Sequence, residues 1–343
     1  MKDANVLIVT EVNHRVASGH LFECLVCYKE LNRYTNVYLM VNADMPAQFK
    51  KAMWGQCIEY QSNIQEEMGV LIHYVLEYKI DIVLFNLREI QNEFILKMRT
   101  MIDVGIICID EFGHRMLDAD IIINPMISEK YWVYDSKAEL FCGADYLVLS
   151  PGIVEYHKLD KPINNKINSV TVSMGGVDAL GTTLKLAQWL PQILEEAKIN
   201  LVIGGGFTYQ KELIKVIEDY KQIKIYENID FLYDLFYQSD LAVCAGGNTL
   251  HELAVIGTPT VVIPSMPHEF QNGQAFQHKG FSICCDMAER ITQRKFEQNL
   301  RRLYDVEVRK NMKKNGRLIV DGRGSERVCK VVKDYIRKKS KGI

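Results

Sequence analysis

The stretch Asp240–Pro264 (DLAVCAGGNTLHELAVIGTPTVVIP) constrains this chain more than any other. Within 25 residues it reads as strand, glycine turn, helix, glycine stop and strand. Leu241 to Ala245 is a short apolar run of the kind that fills a buried parallel strand. Gly246 and Gly247 let the backbone turn tightly with no Cβ in the way of a ligand. Asn248 or Thr249 is placed to cap the following helix, whose unpaired N–H groups and dipole favour an anion at that end. Gly257 ends the helix, Pro259 bars its continuation, and Thr260 to Ile263 supplies the next strand. The stretch reads as a crossover facing a phosphate. Glu252 has two readings. One turn into the helix, its carboxylate suits a ribose diol, and Thr249-x-x-Glu252 equally fits a capping box. Spacing does not separate them.

The same rhythm recurs along the chain. Val6 to Val9, Val37 to Val41, Ile80 to Phe85 and Ile106 to Ile109 are strand-like runs, with Ile121 to Ile123 and Tyr146 to Leu149 completing one half. A mixed helical region is expected over Ala47–Glu77 and a helix over Gln91–Val104. Ser18-Gly19-His20 leads into apolar positions at helical spacing (21, 22, 24, 25, 28 and 31). His20 at that helix start is disfavoured as imidazolium by the dipole and suits a base; a histidine bonded to nearby backbone is the plainer reading. Asp110-Glu111 at a strand end is read as orienting a loop rather than binding metal.

Lys158–Asn168 (KLDKPINNKIN) is polar and reads as a linker, after which the pattern restarts. Val170–Ser173 precedes Gly175-Gly176, Asn200–Ile203 precedes Gly204-Gly205-Gly206, and Ile223–Tyr226 precedes Glu227-Asn228. Strands alternating with helices imply doubly wound parallel sheets, in which ligands bind at the strands' carboxyl ends. Three domain pieces are expected: residues 1–157, residues 169–325, and a C-terminal helix over 326–343 packing back across them.

With 41 Lys plus Arg against 43 Asp plus Glu, the net charge of −2 makes no electrostatic case for nucleic acid. No run of about 18 apolar residues suggests a membrane span, and the first residues enter a strand with no signal-peptide pattern. A cytoplasmic protein is expected. Nine cysteines, several in apolar runs, fit reduced buried thiols, and Cys24-x-x-Cys27 reads as helix packing. The basic end (Arg337, Lys338, Lys339, Lys341) suits weak peripheral contact with anionic lipid or a solvated, frayed terminus; the second is preferred.

Six pieces in order carry a resemblance to a known family. Gly19-His20 with Cys24-Leu25 resembles its GH-x-x-R-C-L element. Ile109-Asp110-Glu111, Asp118-Ala119-Asp120 and Asn124-Pro125 resemble I-D-D…A-D…N-P. Tyr146–Ser150 resembles G-x-x-Y-x-L-L-R, and Val172–Asp178 resembles V-S-F-G-G-S-D. Ala245–Thr249 through Glu252-Leu253 to Gly257-x-Pro259 resembles A-G-G-S-T-x-x-E-L-x-x-x-G-x-P. Asp321-Gly322-x-Gly324-x-Glu326-Arg327 resembles D-G-x-G-x-x-R. The chain resembles the PseG/SpsG nucleotide-sugar hydrolases, relatives of the MurG-type glycosyltransferases.

The resemblance implies a GT-B fold, two Rossmann-like doubly wound domains facing a central cleft. It implies a UDP-sugar substrate, no cofactor and no metal. Gly246, Gly247, Asn248 and Thr249 would cradle the diphosphate, with Gly175, Gly176 and Gly205 in the same wall. Glu252 would hold the ribose, Asn228 and Ile229 would face the base, and His20 would activate water. Gly19, Arg88, Gln271 and Gln274 fall on the sugar or acceptor side. The chain departs from the family at Glu23, where the family has Arg. At Asn86–Gln91 the family's acid and tyrosine are missing, and at Gln274 it has Asn. Hydrolysis of a nucleotide sugar, transfer to a sugar or lipid-linked acceptor, and non-catalytic binding are the three readings, taken in that order.

Overall fold

The computed structural model describes residues 4–12, 19–43, 57–110, 113, 115–227, 229 and 232–340. The chain divides into two compact units, Met1–Pro151 with Arg323–Ile343, and Gly152–Gly322.

The first unit holds a seven-stranded parallel sheet. Across it the strands run Cys57–Tyr60, Asn36–Asn42, Asn5–Thr10, Ile82–Asn86, Gly105–Ile109, Ile121–Asn124 and Glu139–Cys142. The inner strands are buried on both faces, which is why they read as unbroken apolar runs. Alternate side chains go to opposite layers. Leu7, Val9, Val83, Phe85 and Ile106 face the helices Met68–Glu77 and Asn92–Arg99. Val6, Ile8, Ile82, Leu84 and Ile107 face Gly19–Leu31 and Gly324–Ser340. Cys24, Cys27 and Cys329 lie in this second layer, so the Cys-x-x-Cys spacing is packing, and none of the nine cysteines is in a disulfide. Burial pushes the Cys24 thiol up to about 12.

Two sequence expectations change here. Cys57–Tyr60 is a strand inside the region read as helical; with four residues at a sheet edge, its alternation was too short to register. Tyr146–Leu149 is not a strand, since a 3-10 turn occupies Ala144–Tyr146 and the edge strand is Glu139–Cys142. The basic end of Gly324–Ser340 is exposed, with surface contacts from Lys338 to Glu139 at 3.0 Å and from Lys339 to the Asp81 carbonyl at 3.4 Å, and Lys341 lies outside the described residues. Among the described residues no helix is long and apolar enough to cross a membrane.

The second unit has a six-stranded parallel sheet, ordered Ile223–Glu227, Lys198–Ile203, Ser169–Ser173, Leu241–Cys244, Thr260–Val262 and Ser282–Cys284. Val170, Val172, Leu201, Leu241 and Val243 sit in its main core. The polar stretch read as a linker, and the residues just before it, are held within this unit by buried and half-buried cations. Lys161 donates to the carbonyls of Phe236, Tyr237 and Ser239 at the end of the Leu232–Gln238 helix. Arg309 donates to the carbonyls of Asn164 and Asn165. Arg317 reaches those of Tyr156 and His157. The short helix Ile153–Lys158 packs on Asn248–Ile256, which is why the second unit begins at Gly152.

Candidate functional site

In the second unit the strand Ser169–Ser173 has its successor in sequence, Lys198–Ile203, on one side and Leu241–Cys244 on the other. That reversal is the topological switch point, where an open parallel sheet leaves a crevice at its carboxyl ends. Gly175-Gly176 and Gly246-Gly247 leave the two strands that flank it. Gly246 has φ +106°, and a Cβ there would lie 2.8 Å from the Glu269 carbonyl oxygen, so only glycine fits. The third turn packs on the first: the Gly206 N–H donates to the Gly176 carbonyl at 2.9 Å, while Gly205 is exposed.

The two helix starts beside these turns differ. Asp178, which is buried, accepts from the N–H groups of Thr182 (2.9 Å) and Thr183 (2.7 Å), so an anion already occupies the start of Thr182–Ile193. Nothing at sequence level assigned Asp178 this role, although an Asp just ahead of a helical run is a capping signal. The helix Asn248–Ile256 has Gly247 as its cap residue, which brings no side chain. The diphosphate was expected at this second turn, at Gly246, Gly247, Asn248 and Thr249.

The capping-box reading of Thr249 and Glu252 does not hold, because the helix begins two residues too early for Thr249 to stand at the cap. The Glu252 carboxylate instead accepts from the Tyr233 hydroxyl at 3.0 Å. Burial pushes its pKa up to about 7, and the Tyr233 hydrogen bond offsets part of that rise. Tyr233 was invisible in the sequence as a partner, being one of several tyrosines around that helix.

On the helix Pro267–His278, Gln271 is exposed. Its neighbour Asn272 turns inward, donating to the Gly246 carbonyl at 2.7 Å and to Nε2 of His251 at 3.0 Å, which ties the glycine turn to both helices. Burial lowers the His251 pKa to about 4, so that ring is neutral. Gln274 lines a different cleft, with Cys284, Cys285, Asp286, Lys295 and Asn299, beyond the edge strand Ser282–Cys284. Ile229 follows the opposite edge strand and is partly buried, and Asn228 lies outside the described residues.

The first unit has its own switch point, between Asn5–Thr10 and Ile82–Asn86, with Asn36–Asn42 on the far side of Asn5–Thr10. Gly19 opens the helix Gly19–Leu31 and His20 follows it. His20 Nδ1 lies 2.7 Å from Oδ1 of Asn86, a buried residue that ends the strand Ile82–Asn86. The Asn86 amide nitrogen donates to Glu23 Oε2 at 3.0 Å. Two of the departures from the family pattern thus meet each other, and one of them, Asn86, meets His20. Arg88 is exposed two residues on, and its backbone N–H donates to Glu11 Oε1 at 3.2 Å. Asp110 orients a loop, as expected: it accepts from the Gly113 N–H (3.0 Å) and the Tyr134 hydroxyl (2.5 Å) and pairs with Arg115. Glu111 lies outside the described residues.

Comparison with known proteins follows this division. Residues 170–321 match the glycosyltransferase family 28 C-terminal domain. The chain is similar to the spore coat polysaccharide biosynthesis protein SpsG of Bacillus subtilis, 24% identical over 326 residues that cover 93% of this chain and 92% of SpsG. It is 30% identical over 128 residues to a UDP-N-acetylglucosamine–N-acetylmuramyl-(pentapeptide) pyrophosphoryl-undecaprenol N-acetylglucosamine transferase of Salinibacter ruber, covering 35% of this chain and 34% of that one. Among solved structures, Acinetobacter baumannii MurG superposes with a TM-score of 0.71 at 15% identity, covering 96% of this chain and 99% of MurG. That likeness shows the fold, which is GT-B.

Proposed function

We propose that this chain, an SpsG-like protein of the MurG-related group, is an enzyme that hydrolyses a nucleotide sugar, a UDP-sugar by preference, and releases the free sugar. The observation that carries the reading is the chain of contacts from Glu23 through Asn86 to His20, which sets the amide oxygen of Asn86 against Nδ1 and so directs the lone pair of the neutral ring to Nε2. In the reaction, water forms a bond to the anomeric carbon as the bond from that carbon to the diphosphate oxygen breaks. The water proton passes to His20 Nε2. The departing diphosphate gains negative charge, which the dipole at a helix start such as that of Asn248–Ile256 would stabilise. No bond rearrangement is asked of the second unit, whose part is to bind the nucleotide.

Transfer to an acceptor hydroxyl uses the same two groups, and the match to a glycosyltransferase C-terminal domain favours it as the second reading. Two measurements separate these readings. Calorimetry with UDP, CMP, CDP and dTDP is expected to give selective UDP binding. UDP release from UDP-sugars is then expected in water alone. UDP release that requires an added acceptor would replace hydrolysis with transfer, and binding of none of the four nucleotides would remove the nucleotide site.

Glu252 supplies a further prediction. Accepting from both ribose hydroxyls requires the carboxylate, and a pKa of about 7 leaves it substantially protonated at neutral pH. UDP affinity is therefore expected to rise from about pH 6 to about pH 8 as the proton leaves. Glu252→Ala should weaken UDP binding by about 1–3 kcal/mol and flatten that pH profile. An unchanged affinity in the variant would take Glu252 out of the nucleotide site.

A further inference from the structure

We infer that Glu23 and Asn86 are positioning residues that hold His20 in a single tautomer, an inference that rests on His20 being the base proposed above. Glu23 lies three residues after His20, one turn along the Gly19–Leu31 helix and on the same face. Asn86 ends a buried strand between Asn5–Thr10 and Gly105–Ile109, so its side chain has little room to move.

Each contact in this set has one chemical solution. An ionised carboxylate only accepts hydrogen bonds, so the atom of Asn86 facing Glu23 at 3.0 Å is the amide nitrogen. The amide oxygen is then the atom 2.7 Å from His20 Nδ1. An amide oxygen also only accepts, so Nδ1 carries the hydrogen and the neutral ring keeps its lone pair on Nε2. Turning the amide over would set a carbonyl oxygen against a carboxylate, two acceptors with no proton between them. Glu23 selects the amide orientation, and the amide selects the tautomer.

The logic also explains why an amide at position 86 needs a second group beside it. A carboxylate at position 86 presents the same acceptor on both oxygens and orients a histidine unaided. An amide has two faces of nearly equal size and opposite character, and it needs a second group to tell them apart. Glu23 is that group. In the sequence the two residues are separated by 63 positions, and only the placement of the helix over the end of the strand joins them.

The test reads the tautomer directly in the full-length protein labelled with nitrogen-15, without substrate, at about pH 8, where an ordinary histidine is neutral. Long-range proton–nitrogen correlations are expected to show His20 with hydrogen on Nδ1. In Glu23→Leu the Nε2–H form should appear. In Glu23→Leu combined with Asn86→Asp the Nδ1–H form should return, because an aspartate needs no partner to orient it. If Glu23→Leu does not fold, Glu23→Gln carries the same test, since its amide can meet either face of Asn86. A wild-type ring protonated on Nε2, or an unaltered ring in the Glu23 variant, overturns the inference. Turnover is read separately on the same proteins. The expected result is a kcat lowered by roughly 10-fold or more in the single variant, with KM and UDP affinity unchanged, and recovery in the double variant. A tautomer that follows the variants while kcat does not would leave the positioning intact and take the base role from His20.

Discussion

Replacing His20 by alanine is expected to lower kcat by about 10²–10⁴-fold, the range a positioned general base contributes. UDP affinity should not change, because the residues expected to bind the nucleotide belong to the second unit and His20 belongs to the first. Initial rates of UDP release together with calorimetric titration check both halves of this statement. A full kcat in His20→Ala would place the base elsewhere. Loss of UDP binding with loss of turnover would mean that the substitution had disturbed the fold, a case the titration detects.

The largest effect on stability is expected at Arg309, which is completely buried. Its guanidinium donates to the carbonyls of Leu303 (2.8 Å), Asn164 (2.7 Å) and Asn165 (2.8 Å), and burial lowers its pKa. Arg309→Leu removes all three donors and leaves three acceptors with no partner. At roughly 1–3 kcal/mol for each orphaned group, less what the leucine regains by burial, the loss should be about 3–5 kcal/mol. The midpoint of urea unfolding should fall accordingly. Lys313→Ala provides the contrast: it loses a pair with the largely exposed Asp160, worth about 1 kcal/mol or less, and one donor to the Lys161 carbonyl, so a smaller loss than at Arg309 is expected. A midpoint that moved equally for both variants would contradict the assignment of Arg309 as the main pin of the 160–165 stretch.

Much of the second unit was legible before any coordinates. Its glycine turns follow short apolar runs, and Gly257 ends its helix in the left-handed region at φ +82°. These features are local: each depends on residues within one turn or one strand, so spacing records them. The helix after Gly247 was likewise readable, but its cap was not. Choosing among Gly247, Asn248 and Thr249 depends on where the first helical residue falls, and a shift of two positions removed the capping box; the Glu252 carboxylate meets Tyr233 instead.

The stretch 158–168 shows why composition misleads. Proline, lysine and asparagine suggest a solvated linker, yet Lys161 and Arg309 are among the most deeply buried large side chains in the protein. Their charges are tolerated because backbone carbonyls surround them, and a carbonyl leaves no trace in residue identity.

By itself the sequence determined that the chain builds two parallel sheets with glycine turns at their carboxyl ends, because buried strands, turns and helix stops each need particular residues at short range. It also determined which helix carries Glu252 and which carries His20. Only the tertiary structure decided what those side chains meet. Asn86 reaches His20 across 66 residues, and Tyr233 reaches Glu252 from a separate helix. Both contacts depend on strand order and on the seating of a helix over a strand end. Those are set by the packing of the whole unit and have no period in the chain.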